Sequence, residues 1–170
     1  EIRGQIGRRI LKASANGLQE VPANASVATG QAMLIYDPFT RGLSGSFTLT
    51  DLAATVAHIH TQVAGTNGPV AIPLSELTPG SAVWSIPDNT ALDGPTAQAL
   101  LNGGTYVNAH STTFPSGEIR GQIGREVFTA DLSGTQETAN VTTSASGSGL
   151  VVVDPTTLGF SVDLKLSGLT

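Results

Sequence analysis

Histidine is the residue type through which this sequence could do metal chemistry, and its three histidines fall into two short segments. His58 and His60 alternate with other residues within positions 57–60, and His110 ends a second segment. On a β-strand, residues two positions apart point to the same side and lie roughly 6.5–7 Å apart. Two imidazoles at that spacing can reach one metal ion. If the two segments form neighbouring strands, His110 completes a three-nitrogen site with an open position.

The types of donor atom limit which metal ions the site can bind. Neutral imidazoles without thiolates suit copper(II) or zinc, ahead of nickel and cobalt. Cysteine is absent, which excludes a disulfide scaffold, thiol chemistry and thiolate metal sites. The competing interpretation is that these are surface or hydrogen-bonding histidines of a β protein. The sequence therefore predicts a site for copper(II) or zinc at His58, His60 and His110.

Other sites and partners are not indicated. No hydrolase triad signature is present, and residues 65–68 form a predicted turn rather than a phosphate loop. We therefore predict no catalytic residues and no organic cofactor site. The net charge of −5 and the scattered arginines argue against a nucleic-acid partner. No apolar run is long enough to span a bilayer, and the Thr-, Ser-, Gly- and Asn-rich composition favours an extracellular or cell-surface location.

The elements that must position the histidines are predicted to be short strands. Only 12% of the residues are charged and 20 are glycine, which is typical of many strands joined by tight turns. Within the central part of the chain we predict one helix at 95–101 and strands near 8–15, 30–37, 43–50, 54–62, 69–74, 81–86, 104–111 and 118–127. The expected fold is an all-β, antiparallel Greek-key β-sandwich.

An internal repeat organises the chain. Residues 1–8 return unchanged as residues 118–125, and the same offset of 117 aligns residues 1–53 with 118–170 without a gap, at 21 identical positions. We therefore predict the last strand of a preceding repeat at 1–8, one complete domain at 9–126 and the first part of a following repeat at 127–170. A lone strand and a part domain cannot bury their own faces. They pair with neighbouring copies, or the chain is a fragment.

Several motifs together resemble the CHRD domain family. They cover residues 9–126 in order: Leu18-Gln19-Glu20-Val21-Pro22 with Ala28-Thr29-Gly30, then Ala57-His58-Ile59-His60 with Gly65-Thr66-Asn67-Gly68-Pro69-Val70 and Leu74, then Tyr106-Val107-Asn108-Ala109-His110 with Gly117-Glu118-Ile119-Arg120-Gly121-Gln122-Ile123. The resemblance implies a sandwich similar to that of copper/zinc superoxide dismutase. It also implies that His58, His60 and His110 match copper-ligand positions, so the resemblance favours copper over zinc.

A buried arginine is a further expectation from these motifs. Arg120 lies in an otherwise apolar strand, where it could pair with Glu118 or with another buried carboxylate, and we favour a structural role for it. Because the Gln19-Glu20 pair recurs together with the arginine motif, the two could meet. In that case Glu20→Ala destabilises the domain.

The expected function is non-catalytic. We expect an extracellular structural or binding protein of tandem CHRD-like domains, which carries the metal site and assembles head to tail into filaments by strand donation between copies. The alternative is a copper-dependent redox enzyme of the superoxide dismutase type. Against it, the sequence holds no further histidine for a bridging ligand and no cysteine pair. A protein-ligand module is a third class, and no residue points to its ligand.

Overall fold

The computed structural model of the chain describes residues 7–139 and 141–169. They form two compact units that divide between Arg125 and Glu126. The first unit contains strands β1 Arg9–Asn16, β2 Thr29–Asp37, β3 Gly42–Thr50, β4 Val56–Thr61, β5 Val70–Pro73, β6 Ser75–Glu76, β7 Val83–Ser85, β8 Thr105–His110 and β9 Ile119–Gln122, with one α-helix, α1 Gly94–Leu101, and a 3₁₀ turn Gly17–Gln19. The all-β prediction is confirmed.

The nine strands form one antiparallel sheet that nearly closes on itself. Their order is β5-β4-β8-β9-β1-β2-β3-β7-β6. The two edge strands, β5 and β6, are separated in sequence only by Leu74. The backbone N–H of Leu74 donates to the carbonyl of Ala57 in β4, at 3.0 Å. The chain therefore links the two edges of the sheet directly. Greek-key connectivity and likeness to superoxide dismutase stay predictions.

The enclosed face of the sheet is the hydrophobic core. Along β2, buried and exposed residues alternate strictly, as expected for a strand with one face inside. Phe47 on β3, Ile59 on β4, Val107 on β8 and Ile119 on β9 are almost completely buried and belong to one core cluster. The residues between them on β4 and β8 point to the outer side of the sheet, and these include the histidines.

One predicted strand is divided in two in the structure, and another lies almost wholly outside the described residues. The strand predicted at 118–127 is wrong as a single element. It is interrupted at residues 123–125, where Gly124 adopts a positive φ of 69°, so β9 ends at Gln122 and the next strand begins at Glu126. The predicted strand at 1–8 falls almost wholly on residues 1–6, outside the described residues.

The second unit is a three-stranded antiparallel sheet. Its strands are β10 Glu126–Ser133, β11 Ser146–Val153 and β12 Phe160–Ser167, in that order, with a 3₁₀ turn at Gly134–Gln136. Shifting the β1–β2 and β2–β3 pairings by 117 residues gives the β10–β11 and β11–β12 pairings. The division of the chain into repeats stays a prediction. Within the described residues, no helix is long and apolar enough to cross a membrane.

Candidate metal centre

The pairing of β4 with β8 brings the three histidines together. In this antiparallel register His58 lies opposite Asn108, His60 opposite Tyr106, and His110 opposite Val56. Directly opposed residues share one face of a sheet, so all three imidazoles lie on the outer face. The condition for a three-histidine site, that the two histidine segments form neighbouring strands, is therefore fulfilled. The fold does not require histidine at these three positions, because residues on the opposite, enclosed face of the sheet fill the core.

The imidazoles are close enough to share one ion. One ring nitrogen from each histidine can be chosen so that all three lie within 4.8 Å of one another. Nδ1 of His58 is 3.4 Å from Nε2 of His110. Zinc–imidazole bonds are about 2.0–2.1 Å, so two nitrogens on one ion lie at most about 4.2 Å apart. Ring movements of less than about 1 Å would therefore bring the set within reach of one ion.

Two backbone carbonyls select which nitrogens face the site. Nδ1 of His60 lies 2.9 Å from the carbonyl oxygen of Gly68, and Nδ1 of His110 lies 3.1 Å from that of Pro115. A carbonyl only accepts, so each Nδ1 carries the proton and each Nε2 keeps its lone pair. Metal-bound histidines usually donate their second ring nitrogen in this way. The tautomers of His60 and His110 are thus already those of a metal ligand.

His60 provides the clearest indication that the donor set fits a metal. Its Nε2 atom is buried, and among the described residues it has no hydrogen-bond partner. A buried polar atom without a partner costs roughly 1–3 kcal/mol. Such an atom is therefore an unusual feature of a site that serves stability alone. A coordinated ion would use this lone pair, and the neutral nitrogen donors suit copper or zinc.

The electrostatic environment keeps two of the rings neutral. Burial lowers the pKa of His58, and the neighbouring His110 lowers it further. Burial also lowers the pKa of His60, and this outweighs the opposing effect of the hydrogen bond to Gly68. A neutral imidazole is the form that binds a metal ion. Both residues are therefore held in the ligating protonation state at neutral pH.

Contacts with Tyr106 and Gly68 fix the position of the His60 ring. The imidazole of His60 is stacked on the Tyr106 ring, with centroids 4.8 Å apart and planes 2° from parallel. The Tyr106 hydroxyl accepts from the backbone N–H of Gly68, at 3.2 Å, and the Gly68 carbonyl faces His60. A Cβ atom at Gly68 would lie 2.0 Å from the carbonyl oxygen of Thr61. The loop can approach β4 this closely only with glycine at that position.

Arg120 completes this support from the neighbouring strand. Its guanidinium carbon lies 3.5 Å from the centroid of the Tyr106 ring. The same guanidinium donates to the carbonyl of Val63 and to the side chains of Asn67 and Gln122, at 2.9, 3.4 and 3.4 Å. Arg120 therefore ties the loop after β4 to β9, with Tyr106 enclosed between β9 and His60. The structural role predicted for this arginine is consistent with these contacts.

The Gln19-Glu20 pair does meet the arginine motif, although the contacts differ from a simple ion pair. Glu20 accepts from the Asn108 side chain, at 2.5 Å, and interacts with Arg120 through charge rather than through a hydrogen bond. Gln19 accepts from the backbone N–H of Gln122, at 3.4 Å. Glu118, the other predicted partner, instead accepts from the Ser26 hydroxyl, at 2.6 Å. The two motifs therefore form one buried polar layer on the outer face of the sheet.

Sequence reasoning found the three histidines and missed their supports. Tyr106, Gly68 and Pro115 all lie in or beside the quoted motifs, yet no role at the histidine site was predicted for them. A tyrosine two residues before Asn108 on the same strand does share a face with it and with His110. That alternation was the available signal for Tyr106. No sequence signal indicated the carbonyls of Gly68 and Pro115, because the position of a backbone acceptor does not depend on residue type.

Comparison with known families agrees with the motifs. The model of the CHRD domain family matches residues 11–123, which include all three histidines and the polar layer. No curated protein and no solved structure matches the chain.

Proposed function

The chain belongs to the CHRD domain family, and from that premise we propose that it is an extracellular structural or binding protein whose CHRD domain holds a metal ion at His58, His60 and His110. The family is typical of secreted proteins. The low content of charged residues suits an exported β protein. In this proposal, side chains of β4 and β8 bind the metal, and no hydrolase activity is proposed.

One observation carries the metal site: among the described residues the buried Nε2 of His60 has no hydrogen-bond partner, while the Nδ1 atoms of His60 and His110 are already hydrogen-bonded to carbonyl oxygens. We propose copper as the ion, ahead of zinc. Three neutral nitrogen donors with an open position suit copper(II), and copper stands above zinc in the order of affinities for such ligands. When bound, copper would supply one-electron redox chemistry at an open coordination position.

The test is metal content and spectroscopy. The purified chain is stripped of metal, loaded with copper(II) or zinc(II), and compared with a His58→Ala, His60→Ala double variant. Met33→Ala serves as the control because Met33 is an exposed residue of β2. We expect one copper ion per chain, with nitrogen hyperfine structure in the electron paramagnetic resonance spectrum, and its loss only in the histidine variant. Equal metal content in the wild type and the histidine variant would contradict the proposed site.

The second part of the proposal concerns assembly. We propose that the chain is part of a tandem array of such domains, and that copies associate head to tail through strand donation. The identical segments 1–8 and 118–125 and the shared register of the two sheets support it. A head-to-tail contact does not close on itself, so it would build filaments. Sizing and electron microscopy of the purified chain test it, and a compact monomer at all concentrations contradicts it.

A copper-dependent redox enzyme is the alternative function. The open position of a three-histidine site favours it, and a superoxide assay on the copper-loaded protein separates the two. Copper bound stoichiometrically without turnover supports the structural or binding role. Turnover that disappears in the His58→Ala, His60→Ala variant would establish the enzyme instead.

A further inference from the structure

Asn108 lies between the three histidines of the candidate metal centre. It is two residues before His110 on β8 and directly opposite His58 on β4, and His60 is two residues further along β4 on the same face. Directly opposed residues have Cβ atoms about 4.5–5.5 Å apart, and diagonal neighbours about 7–8 Å. On these two strands, Asn108 is therefore the residue that neighbours all three imidazoles.

Two acceptors determine which way the Asn108 amide faces. Its nitrogen donates to the carboxylate of Glu20, at 2.5 Å, and to the backbone carbonyl of Ile119 on β9, at 3.0 Å. A backbone carbonyl only accepts, so the amide atom that faces Ile119 must be the nitrogen. Because β9 and β4 lie on opposite sides of β8, the amide oxygen is turned toward β4 and its histidines.

The backbone of the turn before β9 packs against the nitrogen of this amide. A Cβ atom at Gly117 would lie 2.9 Å from Nδ2 of Asn108 and 2.8 Å from Oε1 of Glu20. Asn24 donates to the carbonyl of Glu118, at 3.0 Å, and so fixes the same turn. The amide therefore cannot turn over without breaking both of its hydrogen bonds.

The amide oxygen of Asn108 has no partner of its own. In the part of the chain that the structure describes, both hydrogen bonds of Asn108 are made through its nitrogen, although the residue is only 3% exposed. Buried polar atoms are normally paired, either with protein or with ordered water. The histidine site therefore combines an unpartnered nitrogen of His60, which can bind an ion, with an oxygen that can accept a hydrogen bond from a ligand of that ion.

We propose that Asn108 determines which small molecule binds at the open position of the metal site, because its amide oxygen accepts a hydrogen bond from a metal-bound ligand that carries protons, such as water, ammonia or a hydroperoxide. The inference rests on the metal site proposed above and names the class of its ligand. A small anion such as azide or superoxide has only acceptor atoms, so no proton would lie between it and the lone pairs of this oxygen. The site therefore selects against small anions.

The positive charge next to Asn108 does not reverse this preference. Arg120 lies opposite Asn108 on β9, on the side away from β4. Its guanidinium lies over the Tyr106 ring and donates to three groups in the loop after β4 and on β9. The charge of Glu20 acts on the same guanidinium. The polar group that Asn108 turns toward the histidines is thus an acceptor, and the cation lies behind it.

The experiment compares an anion with a ligand that carries protons on the copper-loaded chain. Azide and ammonia are titrated separately, the visible spectrum of copper reports their binding, and the copper content is measured at each end point. Asn108→Ala should bind azide about fivefold more tightly and ammonia about fivefold more weakly than the wild type, because the acceptor is removed. The ratio of the two dissociation constants should therefore change about 25-fold, and a change in copper affinity alone does not affect this ratio.

Two further variants separate the amide oxygen from its surroundings. Asn24→Ala is the matched control, because it removes an amide that fixes the same turn at residues 117 and 118, and the ratio should stay that of the wild type. Glu20→Gln removes the charge beside Asn108 and keeps an oxygen for its nitrogen. A change in either variant as large as that in Asn108→Ala would show that the turn or the charge sets the preference, which overturns the role of Asn108.

A measurement on the wild type applies even if Asn108→Ala does not fold. In nuclear magnetic resonance spectra of the metal-free and the zinc-loaded protein, both amide protons of Asn108 should exchange slowly with solvent, because both are in buried hydrogen bonds. Rapid exchange of either proton would show that the nitrogen faces the histidines, which overturns the proposal. An unchanged ratio in copper-loaded Asn108→Ala also overturns it but leaves the metal site in place, whereas a wild type that binds no copper contradicts both.

Discussion

The ring of Tyr106 lies parallel to that of His60, and its hydroxyl accepts from the same residue, Gly68, whose carbonyl fixes the tautomer of His60. One side chain therefore controls both the orientation and the protonated nitrogen of a proposed metal ligand. At metal sites, residues that hydrogen-bond to the ligands usually fix their orientation and thereby increase the affinity for the metal.

Tyr106→Phe should weaken copper binding without unfolding the domain. The stacked ring remains, but the Gly68 N–H loses its acceptor and the carbonyl that orients His60 is held less firmly. We expect a loss of affinity of about tenfold and a loss of stability of about 1 kcal/mol. Competition titration with a chelator and denaturant unfolding measure the two effects. An affinity equal to that of the wild type would show that Tyr106 supports the fold only.

Metal-free protein should lose stability as the pH falls below about 6.5. The pKa of His58 and that of His60 are both lowered in the folded state, so between those values and the ordinary 6.5 the unfolded chain binds more protons. Protonation therefore favours unfolding as the pH drops, and the loss levels off below the folded pKa values. Denaturant unfolding at a series of pH values measures it. The His58→Ala, His60→Ala variant should lack this part of the pH dependence. If the stability of this variant depends on pH in the same way as that of the wild type, His58 and His60 are not the cause.

Arg120→Lys should destabilise the domain strongly although it preserves the charge. A lysine cannot donate to Val63, Asn67 and Gln122 together, nor lie flat over Tyr106. We expect a decrease of about 2–4 kcal/mol in the free energy of unfolding, because buried acceptors lose their donors. Arg9→Lys, at an exposed position of β1, is the matched control and should change little. A loss no larger than in this control would mean that the arginine network contributes little to stability.

The sequence predicted the strands and the histidine group because both follow from local rules. Alternation along β2 and the spacing of His58 and His60 each depend only on the two-residue period of a strand. The neighbouring position of β8 was only the condition for a three-histidine site, and the register of β8 with β4 fulfils it. Element ends were less accessible. The strand predicted at 118–127 is divided by the turn at Gly124, which a single glycine between Ile123 and Arg125 does not indicate.

The polar layer could be predicted only in part. The joint recurrence of Gln19-Glu20 with the arginine motif indicated that they meet, and they do. The identity of each partner depends on long-range packing: Glu118 faces Ser26, whereas Glu20 faces Asn108. Gly117 illustrates the difficulty. Its φ is 132°, and a Cβ there would lie 2.8 Å from a Glu20 oxygen, so the need for glycine arises from a residue 97 positions away in the chain.

Glu20 should make the domain less stable as the pH rises from about 4.5 to about 7. Burial raises the pKa of Glu20 from 4.5 to about 7, against the opposing effects of Arg120 and of the Asn108 hydrogen bond. Below 4.5 the carboxyl is protonated in both states and contributes nothing. Between the two values the folded state holds a proton that the unfolded state has released, so stability falls with rising pH. Above 7 the loss is complete at about 3 kcal/mol.

Glu20→Gln isolates this effect, because the amide keeps an oxygen for Asn108 and cannot ionise. Relative to the wild type, the variant should have similar stability near pH 4 and become up to about 3 kcal/mol more stable by pH 8. Glu20→Ala removes the acceptor as well and should be destabilised at low pH, where the carboxyl is neutral and only its hydrogen bond is lost. Denaturant unfolding of the three proteins from pH 4 to pH 8 measures both differences. The opposite slope of the two histidines is common to all three and cancels in the comparison, so a difference between wild type and Glu20→Gln that does not change with pH would show that folding leaves the pKa of Glu20 unchanged.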